Sequence, residues 1–217
     1  MSVHTHNGLQ LKINQTFGWT VMCRATQNKQ PNIVIPEDIT KRSVTKVEHQ
    51  AFEDDVFLET IEIPKTIEKI GHKAFNNCRH LRNIIFQISD TELRIRQQAF
   101  QNCSSLQGVC LLRPTRIEEM AFADCRDLRI LEGQIDFVSE GAFDSCKNLE
   151  KIKFFNSVEI ESDAFFDCKK LHEIVFYEDV NCTGEFVESV LSKVKIKCKE
   201  NSWLTTLAYE GFCVETF

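Results

Sequence analysis

The motif Ala-Phe-x-x-Cys-x-x-Leu occurs five times: AFNNCRHL at Ala74–Leu81, AFQNCSSL at Ala99–Leu106, AFADCRDL at Ala121–Leu128, AFDSCKNL at Ala142–Leu149 and AFFDCKKL at Ala164–Leu171. An earlier copy, AFEDDVFL at Ala51–Leu58, keeps Ala51, Phe52 and Leu58 but carries Asp55 in the Cys slot. Successive alanines lie 23, 25, 22, 21 and 22 residues apart. A repeat this short cannot bury its apolar side alone. Neighbouring copies must stack to do so, and the product is an elongated array.

Each repeat contains two further signals. Four residues before the Ala stands an aliphatic side chain: Val47, Ile70, Ile95, Ile117, Val138 and Ile160. After the Leu comes a short alternating run: LETIEI, LRNIIF, LQGVCL, LRILEG, LEKIKF and LHEIVF, with only Gly133 breaking the last slot. Alternation at period two predicts a strand with one face buried. Each coil therefore reads as a strand, a turn, a second short segment carrying the aliphatic residue, and a compact turn around Ala-Phe. The strands pair in parallel along one face. The Phe is expected to fill the coil, where its removal costs about 3–5 kcal/mol. The Ala is expected where the chain turns close to the next coil, and a larger residue there costs about 1–3 kcal/mol. The Cys reads as a small, soft, buried group beside backbone left open by the turn.

Composition removes several function classes. The formal charge of −6 argues against a nucleic-acid binder, which neutralises phosphates with a basic face. No apolar run approaches the roughly 18 residues of a membrane-spanning helix, so no membrane insertion is expected. Seventeen Phe against two Tyr and two Trp point to interior packing rather than a stacking surface. The opening MSVHTHNGLQLKINQ has no basic start and apolar centre, so it does not read as a secretory signal. As written the chain reads as cytoplasmic; a preceding leader would make it a cell-surface or secreted protein.

The pattern Ile/Val-x-x-x-Ala-Phe-x-x-Cys-x-x-Leu-x-x-Ile-x-Phe closely resembles the BspA-like leucine-rich repeat family, as does the lead-in NIVIPEDITKRSVTKVEHQAF at Asn32–Phe52. The likeness covers roughly residues 30 to 200. It implies a leucine-rich repeat solenoid of the α/β-type repeat architecture, mostly β, with right-handed stacked coils and a parallel sheet on the concave face. It also implies protein binding, with an adhesin-like surface role among the possibilities.

One domain is expected over residues 1–217: a cap and first strand in 1–43, about six repeats in 44–179, and a degenerate last coil and cap in 180–217. Residues 1–31 read as two antiparallel-like strands about Gly18 and Trp19. Near the other end Phe186 stands in for Ala-Phe, LSKVKI at Leu191–Ile196 reads as the last strand, and NSWLTTLAYEGF reads as a short helix capped by Ser202.

The ten cysteines raise disulfide and zinc readings. No Cys-x-x-Cys occurs, and the repeat thiols Cys78, Cys103, Cys125, Cys146 and Cys168 each have like neighbours on both sides or at an end. Pairing would distort the coils, so reduced buried thiols are the expectation. Cys23, Cys110, Cys182, Cys198 and Cys213 show no pairing pattern. The HTH stretch at His4–His6 has the residues to chelate a metal but reads rather as a disordered tail, and His80 occupies a slot held elsewhere by Ser105, Asp127, Asn148 or Lys170. No metal, no cofactor and no catalytic constellation is expected. The doublets Asp54–Asp55 and Glu118–Glu119 read as solvated surface.

Alternation also names the outward strand residues: Asn32/Val34, Thr60/Glu62, Asn83/Ile85, Gly108/Cys110, Ile130/Glu132, Lys151/Lys153, Glu173/Val175 and Lys193/Lys195. The candidate ligand-binding strip comprises Asn83, Ile85, Cys110, Ile130, Glu132, Lys151, Lys153, Glu173 and Val175, with an apolar middle at Ile85, Cys110 and Ile130. Exposed apolar groups rimmed by polar ones mark interaction sites, although β-branched residues also favour strands whichever way they point. The leading expectation is a non-enzymatic module binding a protein ligand. The alternative is a structural or self-associating scaffold without a discrete ligand.

Overall fold

The computed structural model describes residues 3–13, 18–24, 29–182, 186–187, 190–200, 202, 204–205 and 212–217. The repeats form a solenoid with parallel strands on two sides. One side carries Asn32–Val34, Thr60–Ile63 and Asn83–Phe86 as a three-stranded parallel sheet. It continues through Gly108–Ile117, Ile130–Val138, Lys151–Phe154, Glu173–Phe176, Lys195–Cys198 and Val214–Thr216. The strands Asn83–Phe86 and Gly108–Ile117 touch, but they belong to different sheets.

The segment expected to hold only the second aliphatic residue is itself a strand in each coil. Arg42–Val47, Lys69–Ile70, Leu93–Ile95, the end of Gly108–Ile117, the end of Ile130–Val138, Val158–Ile160 and Val180–Cys182 form a second parallel ladder. In two coils one long strand serves both ladders. The register slips between Leu111 and Thr115. Pro114, which has no N–H to donate to a ladder, lies within that slip.

Between the ladders runs the core. Phe52, Phe75, Phe100, Phe122, Phe143 and Phe165 stack with centroids 4.9–5.3 Å apart and planes within 9° of parallel. All six are buried. Phe186 ends the stack against Phe165 at 6.1 Å, tilted by 52°. The spacing is close to that of paired strands, because the same coil repeat sets both.

The turn around Ala-Phe is a backbone device. The Phe N–H of one coil donates to the Ala carbonyl of the next at 2.7–2.8 Å, as from Phe75 to Ala99 and from Phe143 to Ala164. Two residues per turn take left-handed φ: the one before the Ala (Gln50, Lys73, Gln98, Met120, Gly141, Asp163) and the one three after it (Asp54, Asn77, Asn102, Asp124, Ser145, Asp167). Asn and Asp tolerate that conformation better than other non-glycine residues, and they fill the second slot in five of six copies. Side chains extend the turn across coils: Asn77 donates to Asp54, and Asn102 donates to Asn77 Oδ1 at 2.6 Å.

The thiols answer to the same geometry. Cys78, Cys103, Cys125, Cys146 and Cys168 each donate from Sγ to the Phe carbonyl one coil earlier, at 3.0–3.3 Å. Burial pushes the pKa of all five upward. All cysteines are free. No Ala-Phe turn precedes the one that holds Asp55, and its carboxylate accepts where the thiols donate. It accepts from the Phe57 and Leu58 amides at 2.9 and 3.1 Å and ion-pairs with Arg24 of the N-terminal cap.

Two core positions were not legible in the repeat pattern. Gly133 is inward-facing opposite Leu111, and a Cβ there would lie 2.3 Å from the Leu111 oxygen. Arg113 is 1% exposed. Its guanidinium donates to the carbonyls of Thr91 and Lys65, joining three coils.

The ends differ in part from expectation. The cap pair is Leu9–Ile13 with Trp19–Arg24, antiparallel, and Trp19–Arg24 pairs in parallel with Arg42–Val47. His4 and His6, expected in a disordered tail, lie in the strand Val3–His6, which pairs with Leu9–Ile13. Trp19 Nε1 donates to the Ile39 carbonyl at 2.8 Å and fixes the cap to the first coil. Near the other end Leu191–Lys193 is a short 3-10 turn, and the strand is Lys195–Cys198. The helix expected around NSWLTTLAYEGF falls mostly outside the described residues; Ser202 Oγ accepts from the Leu204 amide at 3.4 Å. A further strand, Val214–Thr216, follows it. Among the described residues no helix is long and apolar enough to cross a membrane.

Candidate functional site

Parallel register places the outward strand residues in two rows. One row reads Asn32, Thr60, Asn83, then Gly108, Ile130, Lys151, Glu173 and Lys195. The other reads Val34, Glu62, Ile85, then Cys110, Glu132, Lys153, Val175 and Lys197. The last coil thus presents Lys195/Lys197, not the expected Lys193/Lys195. The shift is two residues, and period-two alternation is blind to it.

The rows divide into two chemistries. In the C-terminal half the charges are spent on one another. Lys151 and Lys197 both pair with Glu173, the second at 2.9 Å; Lys153 pairs with Glu132 at 2.8 Å and Lys195 with Glu215 at 2.6 Å. Hydrogen bonds from Lys151 and Lys197 hold the Glu173 carboxyl down to about 2. The Glu132 hydrogen bond raises Lys153. Opposite charges directly across a ladder stabilise it, so structure accounts for most of these side chains.

Val175 was expected among the ligand-facing residues and is only 5% exposed. It lies outside the continuous core, between Lys153 and Lys197 in the ladder. Those lysines reach across to Glu132 and Glu173. A lysine thus stands on the strand to each side of the valine, and lysine stems commonly shield apolar surface.

The N-terminal and middle parts remain open. Val34 is 57%, Ile85 50% and Ile130 45% exposed; Asn83 and Cys110 are also exposed. Ile130 lies opposite Gly108, whose missing side chain leaves its flank uncovered, and Cys110 lies opposite Glu132. Ile85 lies on the other side of the break between the two sheets. Burial raises the Cys110 thiol, as does neighbouring Glu132.

Elsewhere the candidate chemistry is engaged structurally. Asp55 pairs with Arg24 and Asp54 accepts from Asn77. Glu118 pairs with Arg96 at 2.8 Å and Glu119 accepts from Gln97 at 3.0 Å. His72 contacts the Gln97 carbonyl at 3.0 Å, and His80 is exposed. Among the described residues no group of three or more His, Cys, Asp or Glu is arranged to hold a metal ion.

Comparison with known proteins bears on this geometry. A family model described as a BspA type leucine-rich repeat region, in six copies, matches residues 27–132 and 94–211. No curated protein sequence matches the chain significantly. Among solved structures, the T. pallidum leucine-rich repeat protein TpLRR is similar with a TM-score of 0.69 and 20% identity, over 99% of this chain and 98% of its own. A leucine-rich cell surface protein from Faecalibacterium prausnitzii A2-165 gives a TM-score of 0.62 and 22% identity over 81% of this chain and 55% of that one. The chain therefore spans about half the length of the Faecalibacterium protein. At these identities the likeness shows the fold.

Proposed function

Because the chain belongs to the BspA-type leucine-rich repeat family, whose fold is generally non-catalytic, we propose that it is a binding module that engages a protein ligand through the open part of its strand face. One observation carries this reading: Ile130 stands about half exposed on the strand next to Cys110, and Ile85 is half exposed across the break between the sheets, while the charged half of the same face is neutralised by its own ladder of ion pairs. Contact with a partner would remove that apolar area from water, at about 25 cal/mol per Å². The rigid sheet loses little conformational freedom on binding, so more of that gain is kept. An adhesin-like role at a cell surface is the narrower form of the proposal. It accords with the usual associations of the family, and the similar Faecalibacterium protein is described as a cell surface protein.

The test compares affinity capture by the wild type and by the Ile85→Glu/Ile130→Glu variant, after thermal unfolding has shown equal stability. Both positions are exposed, so the fold should tolerate the change. Loss of the captured partner in the variant is expected. Equal recovery would remove the strand face from consideration.

A further inference from the structure

Away from the strand face, on the turns that carry Ala-Phe, Gly141 lines a groove of about 230 Å³. Met120 and Phe166 give it an apolar lining, and Glu119, Glu140, Asp144 and Asp163 line it as well. Phe166 is 62% exposed, whereas its neighbour Phe165 is in the buried stack.

The groove is a local departure from the repeat. Gly141 has φ +60°, but Gln50, Lys73, Gln98, Met120 and Asp163 hold the same slot at φ 53–59°. The backbone there does not demand glycine. What glycine supplies is space: a Cβ would meet nothing closer than Met120 Cγ at 3.6 Å. An ordinary side chain in that slot would extend into the groove between Met120 and Asp163.

The charges select the occupant. Glu119 accepts from the Gln97 amide and Asp144 from the Ser145 hydroxyl, both neutral donors. Cations of the same and neighbouring turns pair with other carboxylates: Arg96 with Glu118, Arg126 with Asp124, and Lys147 and Lys169 with Asp167. Four acidic residues and two apolar ones, among them an exposed ring, thus line one groove. An arginine or lysine side chain satisfies both halves, its stem on Met120 and its cationic head against the Phe166 face and the carboxylates. We propose that this groove docks an arginine- or lysine-bearing peptide segment of a partner protein, at a second site independent of the strand face.

The experiment uses protein labelled with 13C at the methionine methyls. Met120 is one of three methionines, so its resonance is readily assigned. The probe is the peptide acetyl-Ala-Arg-Ala-Arg-Ala-amide at low ionic strength, with the Glu counterpart as control. The Arg peptide should shift the Met120 methyl saturably and the Glu peptide should not. Gly141→Gln places in the slot the residue type that stands there as Gln50 and Gln98, at a modest cost for a side chain at positive φ, and thermal unfolding checks that the fold is kept; it should weaken binding by about tenfold or more, and Phe166→Ala by about fivefold. The strand-face variant Ile85→Glu/Ile130→Glu should bind the probe normally, which separates this proposal from the preceding one. It is overturned if millimolar Arg peptide leaves Met120 unmoved, if the Glu peptide or calcium chloride alone moves it equally, or if Gly141→Gln binds like the wild type.

Discussion

Replacing Phe122 by alanine tests the central packing claim. The ring is fully buried and lies between Phe100 at 5.1 Å and Phe143 at 5.2 Å. Truncation removes the transfer free energy of the ring and leaves a cavity that the flanking rings are poorly placed to fill, since each is held by its own coil. The cost should be about 4 kcal/mol. For a chain of this length that corresponds to a fall in Tm of roughly 8–16 °C. Phe122→Leu restores most of the volume and loses the stacked pairs, and should cost roughly 1–2 kcal/mol. Phe165→Ala and Phe166→Ala give an internal control, because these consecutive residues face opposite ways: one lies in the stack and the other is 62% exposed. Urea and thermal unfolding followed by far-UV circular dichroism would measure all four. A Phe122→Ala loss below about 1 kcal/mol, or equal losses for Phe165→Ala and Phe166→Ala, would refute the idea that the stacked rings hold the coils together.

Other outcomes follow from particular contacts. Gly133→Ala forces a Cβ against the Leu111 carbonyl, and should lower stability by about 3 kcal/mol in the same unfolding assay. Glu173 has a folded pKa of about 2, below its ordinary 4.5, so its contribution is present above pH 4.5 and is lost as pH falls toward 2. Glu173→Gln should therefore flatten the fall of Tm over that window and leave the higher-pH slope unchanged. In native protein the exposed Cys110 and Cys213 should react with a thiol reagent well before Cys103, Cys125 and Cys146, which are fully buried and should react only on unfolding; mass spectrometry of the labelled peptides would read this directly.

The sequence carried the parts of this fold that repeat with a fixed chemical identity. Phe and Leu recur because one shape must fill one space in every coil, and alternation revealed which strand residues face outward. The left-handed slot before the Cys is equally visible as Asp54, Asn77, Asn102, Asp124 and Asp167, although the Ala-Phe-x-x-Cys-x-x-Leu motif leaves it open. The other left-handed slot gave no signal, because Gln, Lys, Met, Gly and Asp all occupy it. The last coil was misplaced by two residues because Lys193 stands where earlier coils have Leu, and a shift of two preserves the inside-outside pattern. Val175 was counted as exposed because its own strand faces it outward. Its neighbours in register are Lys153 and Lys197, one strand away on each side, a placement that no local pattern encodes.

The Phe amide to Ala carbonyl bond joins successive coils with almost the same geometry each time. A segment running from one Ala to the next therefore begins and ends on equivalent atoms, and cutting it out or copying it leaves two ends that still fit. Length can change by whole coils without a new core having to be invented. Each such step would lengthen the strand face by about 4.8 Å, so the size of the surface offered to a partner is set by counting coils.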